Sequence, residues 1–208
     1  MDYVTAEEVK IDLVDSGIRD TDEYNAVLRV YITAASRLID HEVGGWDNYF
    51  YPTTDDETRH FDGSGELIQN IDPCISLTSV EVSESGGREA SDYTTWTEDT
   101  DFYISPYNYA EVGIPIRSLI VDNDAGSKGY FMRVRKGVKV KGIFGYSSTP
   151  PDIIMLACKI QVMRWFMRAK QSWQDAGVNS AIGEMLYIQD LDPAVKRLLA
   201  PYRRANIV

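Results

Sequence analysis

Apolar and polar positions alternate in three different rhythms along this chain. The first is helical. Thr5-Ala6-Glu7-Glu8 has the form of a capping box, in which Thr5 serves the orphan amides of a helix start and Glu8 reaches back. Val9, Leu13 and Val14 follow on one face, and Gly17 ends the run. A second helix is predicted from Asp20-Thr21-Asp22-Glu23, where acids favour the positive end of the helix dipole. Its face is Val27, Tyr31, Ala34, Ala35, Leu38 and Ile39, and Gly44-Gly45 stops it. The small Ala34 and Ala35 would let another helix approach closely.

From Trp46 to Ser148 the rhythm shortens to that of strands broken by turn residues. The predicted strands are Asp47–Tyr51, Thr58–Asp62, Glu66–Ile71, Leu77–Ser83, Phe102–Ser105, Arg117–Val121, Gly129–Arg135 and Val138–Tyr146. Leu77-Thr78-Ser79-Val80-Glu81-Val82 alternates, as a half-exposed antiparallel strand should. Arg135-Lys136-Gly137-Val138 reads as a tight hairpin turn, which would gather Arg133, Arg135, Lys139 and Lys141 on its two arms. Ser83–Asp92 and Asp122–Lys128 read as loops.

The helical rhythm returns at Thr149-Pro150-Pro151-Asp152, a good helix start. Ile153 to Ala169 is apolar on most sides, so this helix is expected to be buried either centrally in its domain or between subunits. Residues 171–189 read as a loop with a short hairpin or turn near Ile182–Tyr187. Asp192-Pro193 then opens a last helix with Val195, Leu198 and Leu199 on its apolar face. The expected fold class is α+β. A small helical bundle is made by both chain ends, residues 1–46 and 149–208, and an antiparallel β-rich region, residues 47–148, is inserted between.

Composition narrows the function classes. The net charge of -11 argues against a nucleic-acid clamp with a broad basic face. The imbalance is uneven: residues 1–46 hold ten acids against four bases, residues 47–149 seventeen against nine, and residues 150–208 five against eight. The basic C-terminal part is where an acidic partner could dock. No apolar run is long enough to span a membrane, and no secretory leader is evident, so a cytoplasmic origin is expected. Cys74 and Cys158 are too few for a disulfide framework and read as buried thiols. His41 and His60 have no partner at metal spacing, and Asp55-Asp56-Glu57 lacks the rest of a calcium loop. No nucleophile elbow, phosphate loop or dinucleotide fingerprint occurs. The sequence therefore predicts no enzyme, no catalytic residue, no metal site and no cofactor.

Aromatic residues carry more information. Trp46, Tyr49, Phe50 and Tyr51 cluster where the first helical stretch meets the β region. They are either a core that cements the insertion or, with Trp165, a subunit interface, where such residues are enriched. The tail Tyr202-Arg203-Arg204, ending in Ile207 and Val208, is basic and then apolar.

Several segments, in order, resemble the head–tail connector (adaptor, or head completion) proteins of tailed bacteriophages. They are Ile32–Asp40, Phe50-Tyr51-Pro52, Thr58–Gly65, Ile75–Val80 and Leu199–Arg204. The most specific is Val138–Tyr146 followed by Pro150-Pro151-Asp152-Ile153. The resemblance implies a structural virion protein at the head–tail interface. It would form a ring, dodecameric in this family, under the portal protein. The ring would extend the DNA channel and let genomic DNA pass without sequence-specific binding. It would also receive a tail-side stopper, nozzle or tail protein. In that setting Tyr202, Arg203, Arg204, Ile207 and Val208 form a candidate portal-docking arm that orders only on the portal. Two other readings stand beside it: another virion ring component (a tail terminator or stopper), or a small ligand-binding module that uses the aromatic β region.

Overall fold

The computed structural model describes residues 1–15, 22–52, 55–124, 126–174 and 191–204. Helices α1 (Ala6–Asp15) and α2 (Asn25–Glu42) come first. Strands β1 (Glu57–Phe61), β2 (Ile68–Ser83), β3 (Tyr93–Trp96) and β4 (Phe102–Ser105) follow. After the short helix α3 (Tyr109–Val112) come β5 (Ile116–Val121) and β6 (Val138–Phe144), then helices α4 (Asp152–Gln174) and α5 (Pro193–Leu199). The fold is α+β, with helices from both ends and a β-rich middle. The chain divides into two compact units, residues 1–50 with 150–208, and residues 51–149.

In the helical unit, α1 is capped as its sequence requires. The Thr5 amide donates to the Glu8 carboxylate at 2.7 Å, and the Glu8 amide donates to the Thr5 hydroxyl at 3.3 Å. Val9 and Leu13 are buried, whereas Val14 is exposed. The buried face of α2 is Leu28, Ile32, Ala35, Ser36 and Ile39, one position round from the expected stripe, and Ala34 lies exposed. The shift follows from polar residues in the core. Ser36 donates to the Ile32 carbonyl at 2.8 Å and accepts the Tyr3 amide at 3.1 Å, which satisfies its hydroxyl in a buried place. Against this face α4 sets Ile154, Ala157, Cys158, Val162 and Phe166. Asp192 caps α5 by accepting the Ala194 amide at 2.8 Å, with Pro193 in the first turn, as expected.

The β unit is one antiparallel six-stranded sheet, with order β1-β6-β2-β5-β4 and β3 added on β2. The expected strands Glu66–Ile71 and Leu77–Ser83 merge into the 16-residue β2. One end of β2 pairs with β5 and the other with β6 and β3. The register slips around Pro73, which has no amide to offer a ladder, and again between Leu77 and Ser79. Gly142 of β6 faces this bulge; a Cβ there would sit 2.3 Å from the Ser76 carbonyl oxygen. Trp96 stacks on buried Phe131 at 5.0 Å.

Two expected strands do not form. Asp47–Tyr51 is a run of turns, because its amides are taken by a carboxylate instead of a neighbouring strand (below) and Asn48 adopts φ 67°. Gly129–Arg135 is irregular. Phe131 exchanges backbone hydrogen bonds with Gly65 and Glu66, and Gly63 donates to the Val134 carbonyl at 2.9 Å. The expected hairpin at 135–138 is therefore absent, and β6 lies between β1 and β2. Strand β3, inside a stretch with no strong alternation, was not expected.

Candidate assembly surfaces

Helix α4 has two apolar faces. The inner one is described above. The outer one is Ile153, Leu156, Ile160, Met163 and Met167, spaced alternately three and four residues apart. At about 100° per residue this stripe lies on the opposite side of the helix from the inner face. Ile153 is 42% and Leu156 48% exposed, and the other three are half-buried. Within one chain the helix is buried on its inner side, where Ile154, Ala157, Cys158, Val162 and Phe166 lie. Covering the exposed halves of Ile153 and Leu156 would be worth about 1 kcal/mol each. Trp165 lies beside the inner face, half-buried and edge-on to Tyr31 at 6.2 Å. Beside the outer stripe, Lys159 pairs with Asp12 of α1 at 3.2 Å and Arg164 with Asp192 at 2.6 Å.

Helix α1 also exposes apolar residues. Ile11 is 64% and Val14 47% exposed, with Glu7 beside them one turn earlier. One exposed apolar residue is ordinary, but two at i and i+3 make a small patch, beside which Glu7 pairs with Lys10 at 3.4 Å.

The aromatic cluster divides. Tyr49 and Phe50 are fully buried inside the helical unit, where Phe50 meets Tyr3 at 5.9 Å and Tyr202 at 5.6 Å edge-to-face. Trp46 stacks edge-on against Tyr49 at 5.1 Å and stays half-exposed, and Tyr51 is half-buried. The C-terminal arm is anchored up to residue 204. The Arg204 amide donates to the Val43 carbonyl at 2.9 Å, its guanidinium lies over Trp46 at 5.4 Å, and Arg203 pairs with Glu42. Ile207 and Val208 lie outside the described residues, as do the turn expected at 182–187 and Gly17.

Asp40 is a residue that sequence reading missed. It is fully buried in the last turn of α2. Tyr3 donates its hydroxyl to one carboxylate oxygen, the Asn48 amide donates to the other at 3.0 Å, and Arg37 sits at 3.3 Å. Burial pushes this carboxyl above its ordinary value, against the pull of those partners. The available signal was an acid at a helix C-terminus, where the dipole disfavours it and a compensating donor is required.

In the β unit, half of the expected positive face is neutralised, whereas Arg133 and Arg135 are exposed with no ion pair among the described residues. Lys139 pairs with Glu81 at 3.0 Å, Lys141 with Asp56 at 3.6 Å, and Arg59 with Asp72 at 2.8 Å. A hollow of about 330 Å³ beside Tyr109, Ile114 and Tyr146 is lined mainly by small and apolar groups. No group of three His, Cys, Asp or Glu residues suited to a metal occurs among the described residues. His41 is exposed near Asp47, and His60 lies edge-on to Tyr93. Among the described residues no helix is long and apolar enough to cross a membrane.

No protein-family model matches the chain. No curated protein matches it either. Among solved structures, one chain from the virion of a native gene transfer agent (GTA) particle aligns with a TM-score of 0.47 and 14% identity, covering 91% of this chain and 82% of that one.

Proposed function

We propose that this chain is a structural virion protein, a head–tail adaptor subunit that joins its own copies in a ring under a phage portal. The observation that carries this reading is the outer face of α4, an apolar stripe of five residues in which Ile153 and Leu156 stand exposed. A subunit that closes a ring uses two different surfaces, one meeting the other on the next copy. The exposed Ile153 and Leu156 of α4 and the exposed Ile11 and Val14 of α1 are two such surfaces, both apolar. The order of helices, β insertion and helices is also that implied by the adaptor resemblance. In this reading Tyr202, Arg203, Arg204, Ile207 and Val208 belong to the arm that meets the portal.

The test is the mass, by light scattering, of the purified protein alone and then with its cognate portal. A discrete ring, or a defined increment of adaptor copies on the portal, is the expected result. A monomer that ignores the portal at every concentration would overturn the reading.

A further inference from the structure

Three cations of the β unit line one hollow of about 700 Å³. Arg88 comes from the loop after β2, and Arg135 and Lys136 from the turn before β6. All three are exposed, and none has an ion pair among the described residues. This differs from Arg59, Lys139 and Lys141, each of which has found a carboxylate. Acids are in excess in this unit, so the missing pairings are not for want of partners.

The rim that carries the cations is built. The Lys136 backbone, at φ 50°, is held from two sides: its amide donates to the Asp62 carboxylate at 2.8 Å, and its carbonyl accepts the Tyr93 hydroxyl at 2.8 Å. Asp62 also lines the hollow, and its carboxylate is engaged in that bond. Gly86 and Gly87 form the facing wall. Gly86 has φ +88°, and a Cβ on Gly87 would fall 1.7 Å from the Tyr93 hydroxyl, so the backbone there must stay bare. Bare backbone beside guanidinium forks and an ammonium suits an oxyanion with several acceptor oxygens. No large apolar side chain lines the hollow, whereas protein interfaces usually centre on such an anchor.

We propose that this hollow binds phosphate groups of a nucleic-acid backbone, without regard to base sequence. The chain carries a net charge of -11, so the contact rests on the three cations gathered at this hollow. It goes beyond the adaptor reading and does not depend on ring formation.

The experiment is fluorescence anisotropy of a labelled mixed-sequence duplex with the full chain across a salt series. The variants are Arg88→Gln/Arg135→Gln/Lys136→Gln and the matching triple Glu variant. Wild type is expected to bind at low salt. The Gln variant should lose roughly tenfold or more in affinity and flatten the slope of log K against log salt by about 2–3. A control pair, Lys196→Glu/Arg197→Glu on exposed positions of α5, should change neither. Circular dichroism confirms that each variant is folded. Absence of wild-type binding at low salt would overturn the proposal. So would equal loss in the control pair, or competition by poly-glutamate as effective as that by unlabelled duplex, which would point to an acidic protein instead.

Discussion

The Tyr3 hydroxyl donates to the buried Asp40 carboxylate and accepts the Phe50 amide at 3.2 Å. One phenol thus ties the N-terminal segment, the end of α2 and the turn after it into a single hydrogen-bonded knot. Tyr3→Phe leaves both partners short in a buried place, so a loss of about 1–3 kcal/mol in urea unfolding is expected. A loss below the error of the fit would show that the knot is ornamental to stability.

Asp40 also predicts a pH effect. Burial raises its acidity constant on the pKa scale, so the folded protein holds this proton more tightly than the unfolded chain does. Its contribution to stability therefore falls as pH rises from its ordinary value of 3.8 to its raised folded value. Asp40→Asn removes that dependence. The stability difference between wild type and Asn variant should shift toward the variant as pH rises through this window. A difference constant with pH would contradict it.

Much of the helical unit was legible in the sequence. The capping box at Thr5, the Asp192-Pro193 start and the Pro-rich start of α4 are local signals, read by local rules. On α2, Ala35 and Ile39 are buried as expected, but Ser36 and Asp40 were missed because they are polar residues buried by partners distant in sequence, Tyr3 and the turn at Asn48. The strand at Asp47–Tyr51 failed for the same reason. In the β region, single strands were visible but pairing was not. Which strands lie beside β6 depends on pairings such as Val82 with Val138 and Glu57 with Gly142, far apart in sequence, and no local turn signal encodes them. The hollow at Arg88, Arg135 and Lys136 is likewise a product of topology, since its walls read separately as a loop and a hairpin.

The two faces of α4 should respond differently to charge. Leu156→Glu, on the outer stripe, is expected to change stability by no more than about 0.5 kcal/mol while abolishing the mass increment on the portal. Ile154→Glu, on the inner face, buries an unpaired charge and should prevent folding. Normal assembly by the folded Leu156→Glu protein would remove α4 from the contact.

Burial pushes both the Cys74 and Cys158 thiols up to about 12. At pH 8 the thiolate fraction is then on the order of one in ten thousand, and access is blocked as well. A thiol-specific dye should leave the folded protein unlabelled and modify both cysteines once denaturant is added.

Gly142 should not accept a side chain. Gly142→Ala puts a methyl group onto the Ser76 carbonyl across the bulge, which β2 cannot relieve without giving up its register with β6. A loss of about 2 kcal/mol or more is expected in the same unfolding assay.

The helical unit is assembled from the two ends of the chain, and this orders events during synthesis. When α1 and α2 leave the ribosome, the helix that must cover Leu28, Ile32 and Ile39 is still more than a hundred residues away. The β unit, continuous in sequence, can close first. The outer stripe of α4 is thus presented in its proper setting only on a chain translated past that helix. A truncated product carries the β unit but lacks the helix that covers α2, so the order of the sequence keeps its helical unit from closing.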